Sequence, residues 1–192
     1  MKTKRTTGLL VLLAFALLSA ACTNPTAQAD AAISSVNGHL KAAASSEAKV
    51  KDLTAQVGAV PYTKAGALQA LDIIAQMQSE LNTQRTELSA AQRTLRSALA
   101  LKIKPELKTY IGLEATAIGT RIKLVDAGLV LYGETGRMYR AIRDGRATNV
   151  AINNLTAEMD ATTSQIETLT QQAATQTQAA SDYFTAHKLG GK

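Results

Sequence analysis

Aromatic side chains are scarce in this 192-residue chain, which has no tryptophan, two phenylalanines and five tyrosines. Such a chain has to build its core from aliphatic residues, as helical bundles do. Proline occurs only at positions 25, 61 and 105, so long stretches contain no residue that breaks a helix for lack of an amide hydrogen. The single cysteine, Cys22, excludes a disulfide bond within the chain.

Motifs of enzymes and metal sites are also missing. His39 and His187 stand singly, without the HExxH or Glu-x-x-His spacing that holds zinc or a di-iron centre. No glycine-rich phosphate loop precedes a predicted helix. We therefore expect no enzymatic activity, no cofactor and no metal site, and we interpret both histidines as solvated or edge residues.

The first 21 residues have the layout of an export signal. Three cations precede an unbroken apolar block, and small residues then lead to Cys22. A membrane-spanning helix needs about 20 apolar residues, so the block is too short to remain in a membrane as a span. The cations are Lys2, Lys4 and Arg5, the apolar block covers residues 9–18, and the small residues are Ser19, Ala20 and Ala21.

The residues LSAAC at positions 18–22 resemble the lipobox of bacterial lipoproteins, in which the cysteine is acylated, for example with palmitate, and becomes the mature N-terminus. One departure is that Leu18 lies four residues before Cys22, with Ser19 at the place where leucine is commonest. The resemblance implies a signal peptide over residues 1–21 and a lipidated N-terminus with a short tether over residues 22–25. An ordinary secretory signal followed by an incidental cysteine is the alternative.

Lipidation would decide where the protein resides. Two or three acyl chains hold a protein firmly on a membrane, because each buried CH₂ group contributes about 0.8 kcal/mol. Thr23 follows the cysteine, which resembles lipoproteins sent to the outer membrane. We therefore expect a lipid-anchored cell-envelope protein, on the periplasmic face of the outer membrane in a Gram-negative host or on the outer face of a single membrane.

Charge gives little indication of a partner. Without residues 1–21, the chain keeps 171 residues, enough for one domain with a core, and 18 of its 21 cations against 15 carboxylates. An excess of three positive charges is too small to indicate nucleic-acid binding, and we expect no nucleic-acid partner.

The clearest helical pattern lies between Pro61 and Pro105. Apolar or small residues recur there at alternating steps of four and three residues, which places two rows on one face of a helix. Paired rows of this kind are typical of coiled-coil-like bundle packing. We predict a helix over residues 63–101 with Thr63 as its N-cap. The rows are Ala67, Ile74, Leu81, Leu88 and Leu95, and Ala70, Met77, Gln84, Ala91 and Ala98.

Three further helices complete the predicted architecture, over residues 26–57, 105–143 and 149–187, the last with Asn149 as its N-cap. Short connections favour antiparallel neighbours. We therefore predict an all-α, up-down-up-down four-helix bundle over residues 26–188, followed by a frayed tail over residues 189–192.

Two places leave an alternative open. Asn37 and Gly38 form a turn dipeptide that could break the first helix, and the β-rich residues 120–135 could form a hairpin. Length favours the helix at 120–135, because the second, third and fourth predicted helices each span 39 residues and match as neighbours about 57 Å long. Residues 129–132 would make this helix apolar on all sides, which indicates a central position or half of a homo-oligomer contact.

Four arginines near the end of the third helix form the strongest charge feature. The first three stay on one side of a helix because they are three residues apart, and the planar guanidinium suits carboxylates and phosphates. An anion or acidic-partner site is the functional interpretation. Stabilisation of the helix C-terminus, by about 0.3–1 kcal/mol for each cation, is the alternative. The arginines are Arg137, Arg140, Arg143 and Arg146, with Tyr139 among them.

Lys102, Lys104 and Lys108 fall at the connection that the predicted topology places beside the start of the first helix, and so near the membrane. Each lysine could add about 1 kcal/mol of attraction to anionic headgroups, or all three could serve only solubility. The four arginines would then lie about 50 Å from the anchor, as judged by helix rise.

Gly112, Gly119 and Gly133 lie on one heptad row of the third helix, where each interior glycine costs about 1 kcal/mol relative to alanine. Close packing of a neighbouring helix is the explanation that we expect. A flexible or kinked helix and a groove for a ligand or partner are the alternatives.

Taken together, these features predict a structural or interaction module on the membrane surface, with an envelope protein or an anionic polymer as its partner and a homo-oligomer as a further possibility. The alternative is a periplasmic binding module that holds a small apolar ligand or cofactor between the helices, where bundles place such sites.

Overall fold

The computed structural model describes residues 24–189, which form four helices and no strand. The predicted signal peptide, Cys22 and all of the predicted tail except Leu189 lie outside the described residues. The structure confirms the predicted all-α, up-down-up-down four-helix bundle. Helix α1 spans Pro25–Gly58, α2 spans Lys64–Ala98, α3 spans Pro105–Arg143 and α4 spans Asn149–Ala186.

Side-chain caps set the starts of the first two helices. Asn24 accepts a hydrogen bond from the amide two residues later, at 3.0 Å, so α1 already begins at Pro25, inside the predicted tether. Thr63 caps α2 as predicted, because its hydroxyl accepts from the Gly66 amide at 3.1 Å. Both caps satisfy an amide that has no partner within its helix.

The last helix begins and ends slightly differently from the prediction. Its N-cap is Thr148 and not Asn149, since Thr148 has an extended backbone and accepts from the Ala151 amide at 3.2 Å, whereas Asn149 is already helical. Leu189 was assigned to the frayed tail, but its amide donates to the Phe184 carbonyl oxygen at 3.2 Å. The C-terminal turn of the bundle therefore includes Leu189.

Neither alternative left open by the sequence occurs. Helix α1 continues through Asn37 and Gly38, because apolar positions on both sides of them are buried at a constant interval of seven residues. Residues 120–135 are helical throughout, since α3 lies between two helices and buries side chains toward both, and such packing outweighs β-propensity. The buried residues of α1 at this interval are Ala29, Val36, Ala43, Val50 and Val57.

The core belongs mainly to α1, α2 and α3. In the described part of the chain, the cluster of buried hydrophobic residues that contact one another includes none from α4. Helix α4 buries only Thr162, Leu169, Ala173 and Ala180, so it is the most peripheral element. The largest fully buried side chains are Met77, Leu88, Leu95, Ile111 and Ile118.

Each helix contacts the next helix in the chain, and within residues 24–189 no other pair of helices brings Cα atoms within 8 Å of each other. The bundle is therefore open between α1 and α4. Two polar contacts join α1 to α3 in this region: Arg121 lies 3.7 Å from Glu47, and the Tyr132 hydroxyl lies 2.8 Å from that of Thr54. Helix α3 lies between α2 and α4, but none of residues 129–132 is buried and Val130 is 52% exposed. The central burial that was one of two outcomes expected for these residues is therefore not observed. None of the described helices is both long and apolar enough to span a bilayer.

Candidate functional site

The far end of the bundle contains the α1–α2 connection, residues 59–63, and the α3–α4 connection, residues 144–148. Gly145 has a positive φ of 67°, which lets the chain reverse after α3 without the strain that a side chain would add. Gly66 lies beneath the other connection, where a Cβ atom would clash with the Pro61 carbonyl oxygen. These two glycines allow both loops to turn tightly at this end.

Three of the four predicted arginines pair with carboxylates of the same chain. Arg137 forms an ion pair with Glu158 of α4. Arg143 lies 2.7 Å from Asp144, and Arg146 pairs with the other oxygen of that carboxylate. Hydrogen bonds from these two arginines lower the pKa of Asp144 from 3.8 to about 2. The charge of Arg137 is therefore offset by Glu158, whereas Arg143 and Arg146 share the single negative charge of Asp144 and together keep one positive charge.

Arg140 differs from the other three, since it makes no ion pair within residues 24–189. Its guanidinium lies near Gly136, where an added Cβ atom would be 3.4 Å from Nη1. The structure thus does not gather the four arginines into one cluster. The anion site stays a prediction, and Arg140 is the member whose full charge is available to an outside partner.

Exposed hydrophobic residues accompany Arg140 at this end. Tyr62, 70% exposed, stacks on the buried ring of Tyr139 with centroids 5.7 Å apart, and burial raises the pKa of Tyr139. Leu68 and Val150, in the first turns of α2 and α4, are 57% and 71% exposed. In the described part of the chain, Val130 is the only other large hydrophobic residue that is exposed. We call Tyr62, Leu68 and Val150 the distal hydrophobic residues.

The near end carries the predicted lysines. Gln28 and Leu101 line the same cavity, so the start of α1 and the α2–α3 connection lie side by side. Lys102 and Lys104 are exposed and Lys108 is half-buried, and no ion pair involves any of the three within residues 24–189. This geometry suits a membrane-proximal patch, whose contact with lipid stays a prediction.

The glycine row of α3 is more open than expected. A Cβ atom added at Gly112 or Gly133 would meet no atom within 4 Å, whereas one added at Gly119 would lie 2.6 Å from the Gln92 side-chain nitrogen. Close packing of a neighbouring helix, the explanation that we expected, therefore applies to neither Gly112 nor Gly133 within the described chain. Gly119 gives room to a side chain of α2.

A buried carboxylate at the α3–α4 interface was missed by sequence reasoning. Glu134 is 7% exposed, and its Oε1 accepts a hydrogen bond from the Thr162 hydroxyl at 3.3 Å, while Oε2 has no partner among the described residues. Arg137, 4.0 Å from Oε1, offsets part of the charge. The sequence does contain a signal for this site, because Thr120, Ala127 and Glu134 form a second row at seven-residue intervals in α3. These residues are small or polar, so the row does not stand out as a core pattern.

Both histidines lie at the edge of the bundle. His39 Nδ1 is 2.7 Å from Glu87 and joins α1 to α2, and the His187 ring stacks on Tyr183 at 4.2 Å. Residues 24–189 contain no group of three or more histidine, cysteine, aspartate or glutamate side chains arranged to hold a metal ion.

Comparisons with protein-family models, with curated protein sequences and with solved structures find no match to this chain.

Proposed function

We propose that this protein is a lipid-anchored, non-enzymatic component of the cell envelope that holds a contact surface away from the membrane. This proposal rests on the difference between the two ends of the bundle. One end has the start of α1 and three lysines without ion pairs, and the other has the distal hydrophobic residues and Arg140. Large hydrophobic residues grouped in one exposed region commonly mark a surface that a partner covers.

The dimensions suit such a role. Helix α3 has 39 residues and therefore spans about 57 Å. An anchor on Cys22 would leave the distal hydrophobic residues about 50 Å from the membrane surface. Tyrosine and arginine are enriched where proteins contact one another, so we favour an envelope protein over an anionic polymer as the partner at this end.

The alternative of an apolar ligand held between the helices has less support. A cavity that touches all four helices has a volume of about 200 Å³ and is lined by Glu47, Gln84 and Arg121 in addition to apolar residues. Sites for small organic ligands usually measure about 300–1,000 Å³ and are mostly apolar. The size and the charges of this cavity therefore favour the contact role.

The anchor is tested by Cys22→Ala. Metabolic labelling with an alkyne analogue of palmitate should mark the wild-type chain and leave the variant unlabelled, because alanine has no sulfur to acylate. Intact-mass analysis of detergent-extracted protein should show the acyl chains. A wild-type mass with a free thiol at Cys22 would refute the anchor.

The distal contact is tested by photocrosslinking in the native host. A photoreactive amino acid at Tyr62 or Val150 should crosslink to the same envelope protein, whereas the same probe at Lys41, exposed in the middle of α1, should give no such product. Arg140→Glu should reduce the crosslink yield, and Arg93→Glu should leave it unchanged. Equal products from all three probe positions, or none, would exclude the distal end as the contact surface.

A further inference from the structure

A trough runs along the outer side of α3, between α2 and α4. It has a volume of about 630 Å³, with Gly112, Gly119 and Lys123 of α3 in its floor, Arg96 of α2 in one wall and Gln176 of α4 in the other. The trough exists because α2 and α4 each contact α3 but, in the described chain, not each other.

The floor of the trough is free of side chains where glycine occurs. At Gly112 a Cβ atom would meet nothing within 4 Å, so the backbone of α3 is open to a ligand there. At Gly119 the missing side chain admits the Gln92 amide, which donates to the Ala115 carbonyl oxygen at 3.0 Å. An interior glycine costs a helix about 1 kcal/mol, and none of the four described helices uses the space at Gly112.

The charge of the trough has one sign. Arg96 and Lys123 line it, no carboxylate does, and neither cation makes an ion pair within residues 24–189. Because α2 and α3 are antiparallel and Gln92 bonds to Ala115, Arg96 lies one turn further along α2, beside Gly112. Lys123 is then about 16 Å away along α3. A ligand that contacts both Arg96 and Lys123 would therefore carry two negative charges about 16 Å apart.

The polar groups of the walls suit a peptide backbone. Gln92, Gln172 and Gln176 line the trough, and a glutamine amide can both donate to a peptide carbonyl and accept from a peptide amide. The Gln176 side-chain oxygen is buried and has no hydrogen-bond partner among the described residues, so rotation of this amide toward the trough would offer an acceptor without breaking a hydrogen bond. No aromatic side chain lines the trough on which a flat ring could stack.

We propose that this trough binds an extended acidic peptide segment of another protein. An extended chain rises about 3.3 Å per residue and its side chains alternate between two faces, so carboxylates four or six residues apart lie on one face and span about 13–20 Å, which suits Arg96 and Lys123 together. The site lies on the side of the bundle, apart from the distal hydrophobic residues, and does not depend on lipidation or on the proposed distal contact.

A peptide selection identifies the preferred ligand directly. Random short peptides displayed on phage are selected on the full-length chain in detergent micelles, after removal of every peptide that binds the empty micelles. The expected result is enrichment of peptides with two aspartates or glutamates four or six residues apart. Failure to enrich any sequence, or enrichment of sequences without paired acidic residues, overturns the proposal.

Matched variants then separate binding from folding. Leucine at Gly112 fills the trough. Gly38 of α1 is a matched control, because an added Cβ atom there also meets no atom within 4 Å, but a leucine at Gly38 extends into solvent. Both changes should stabilise the helix, but only Gly112→Leu should weaken binding of a labelled enriched peptide, by about tenfold or more, measured by fluorescence anisotropy.

The charge of the site is tested in the same assay. Arg96→Ala and Lys123→Ala should each weaken peptide binding by about threefold to tenfold and reduce its salt dependence, while Arg93→Ala, outside the trough, should have no effect. If Gly112→Leu binds the peptide as well as Gly38→Leu does, the peptide lies elsewhere and the proposal fails. Binding of a labelled polyuronate, with no selected peptide binding, would identify an acidic polysaccharide as the ligand and would also refute the proposal.

Discussion

Replacing the open glycines of α3 with alanine should stabilise the protein. An added Cβ atom at Gly112 or Gly133 meets no atom within 4 Å, so neither substitution creates a clash. Alanine is favoured over glycine in a helix interior by about 0.8–1 kcal/mol. Gly112→Ala and Gly133→Ala should therefore each raise the free energy of unfolding by about 1 kcal/mol, and the double variant by about 2 kcal/mol, because sites this far apart are additive.

Two other glycines provide controls, because alanine at either of them should not stabilise the protein. In Gly119→Ala the new Cβ atom displaces the Gln92 amide and breaks its bond to Ala115, which costs about 0.5–1.5 kcal/mol and cancels the gain in helix propensity. In Gly66→Ala the clash is with the Pro61 backbone oxygen, which cannot rotate away. That variant should lose about 1–3 kcal/mol.

The assay is thermal unfolding of the full-length variants, followed by circular dichroism in the same detergent micelles. For a domain of this size, 1 kcal/mol corresponds to a change in Tm of about 2–4 °C. Wild type and the four single variants should rank with Gly112→Ala and Gly133→Ala highest, Gly119→Ala level with wild type, and Gly66→Ala lowest. If Gly112→Ala and Gly133→Ala melt below wild type, a second copy or another helix covers those positions, and the open-floor interpretation is refuted.

Three further outcomes test other parts of the structure. The pKa of Asp144 is lowered to about 2 from 3.8, so the ionised carboxylate contributes stability above about pH 4 that is lost as the pH falls toward about 2; thermal melts should show a shallower acid dependence in Asp144→Asn than in wild type. Leu169→Ala should cost about 2–3 kcal/mol and accelerate amide hydrogen exchange in α4 alone, because α4 lies outside the main apolar cluster, whereas Leu88→Ala should accelerate exchange in all four helices. Burial and the nearby Glu114 raise the pKa of Tyr110 to about 12, so an alkaline absorbance titration, compared with Tyr110→Phe, should show a lower value in Glu114→Gln.

Helix α2 was predictable nearly to its ends because its sequence signals agree. Both heptad rows are buried along its length, Gln84 included, and Thr63 provides the cap. Helix α3 was predictable in its bounds, since Pro105 and the Asp144–Gly145 turn limit it. In these segments periodicity, capping and turn residues indicate the same structure, which is the condition under which local patterns specify a fold.

The opening between α1 and α4 could not be predicted, because a heptad pattern tells which face of a helix is buried but not which helix covers it. Helix α4 illustrates this limit. The spacing of Ile152, Leu155, Met159 and Ile166 favours one inner face of this helix, yet all four are only half-buried, since α4 packs against a single neighbour.

The candidate site was predictable only in part for a similar reason. Spacing placed the arginines at one helix end, but it could not show that three of them pair with Glu158 and Asp144, which come from another helix and from a turn. The trough could not be predicted either, because its shape depends on which helices lie next to one another. Gln172 and Gln176 belong to the face of α4 that its sequence suggests is merely solvated, and they gain a role only because α2 lies on the opposite side of α3.

The restriction of helix contacts to neighbours in the chain has a consequence for how the polypeptide matures. Within residues 24–189 every approach of two helices to within 8 Å between Cα atoms joins helices that follow one another in the chain, and the two contacts of α1 with α3 involve long side chains. The mean sequence separation of contacts is therefore small, and folding is expected to be fast. The hairpin of α1 and α2 can collapse as soon as both have been synthesised, and the later helices can add to it one at a time without threading back to the N-terminus. In the export that we propose for this protein, a partly translocated chain would by the same reasoning be protected from proteases and from aggregation before its C-terminal half had followed.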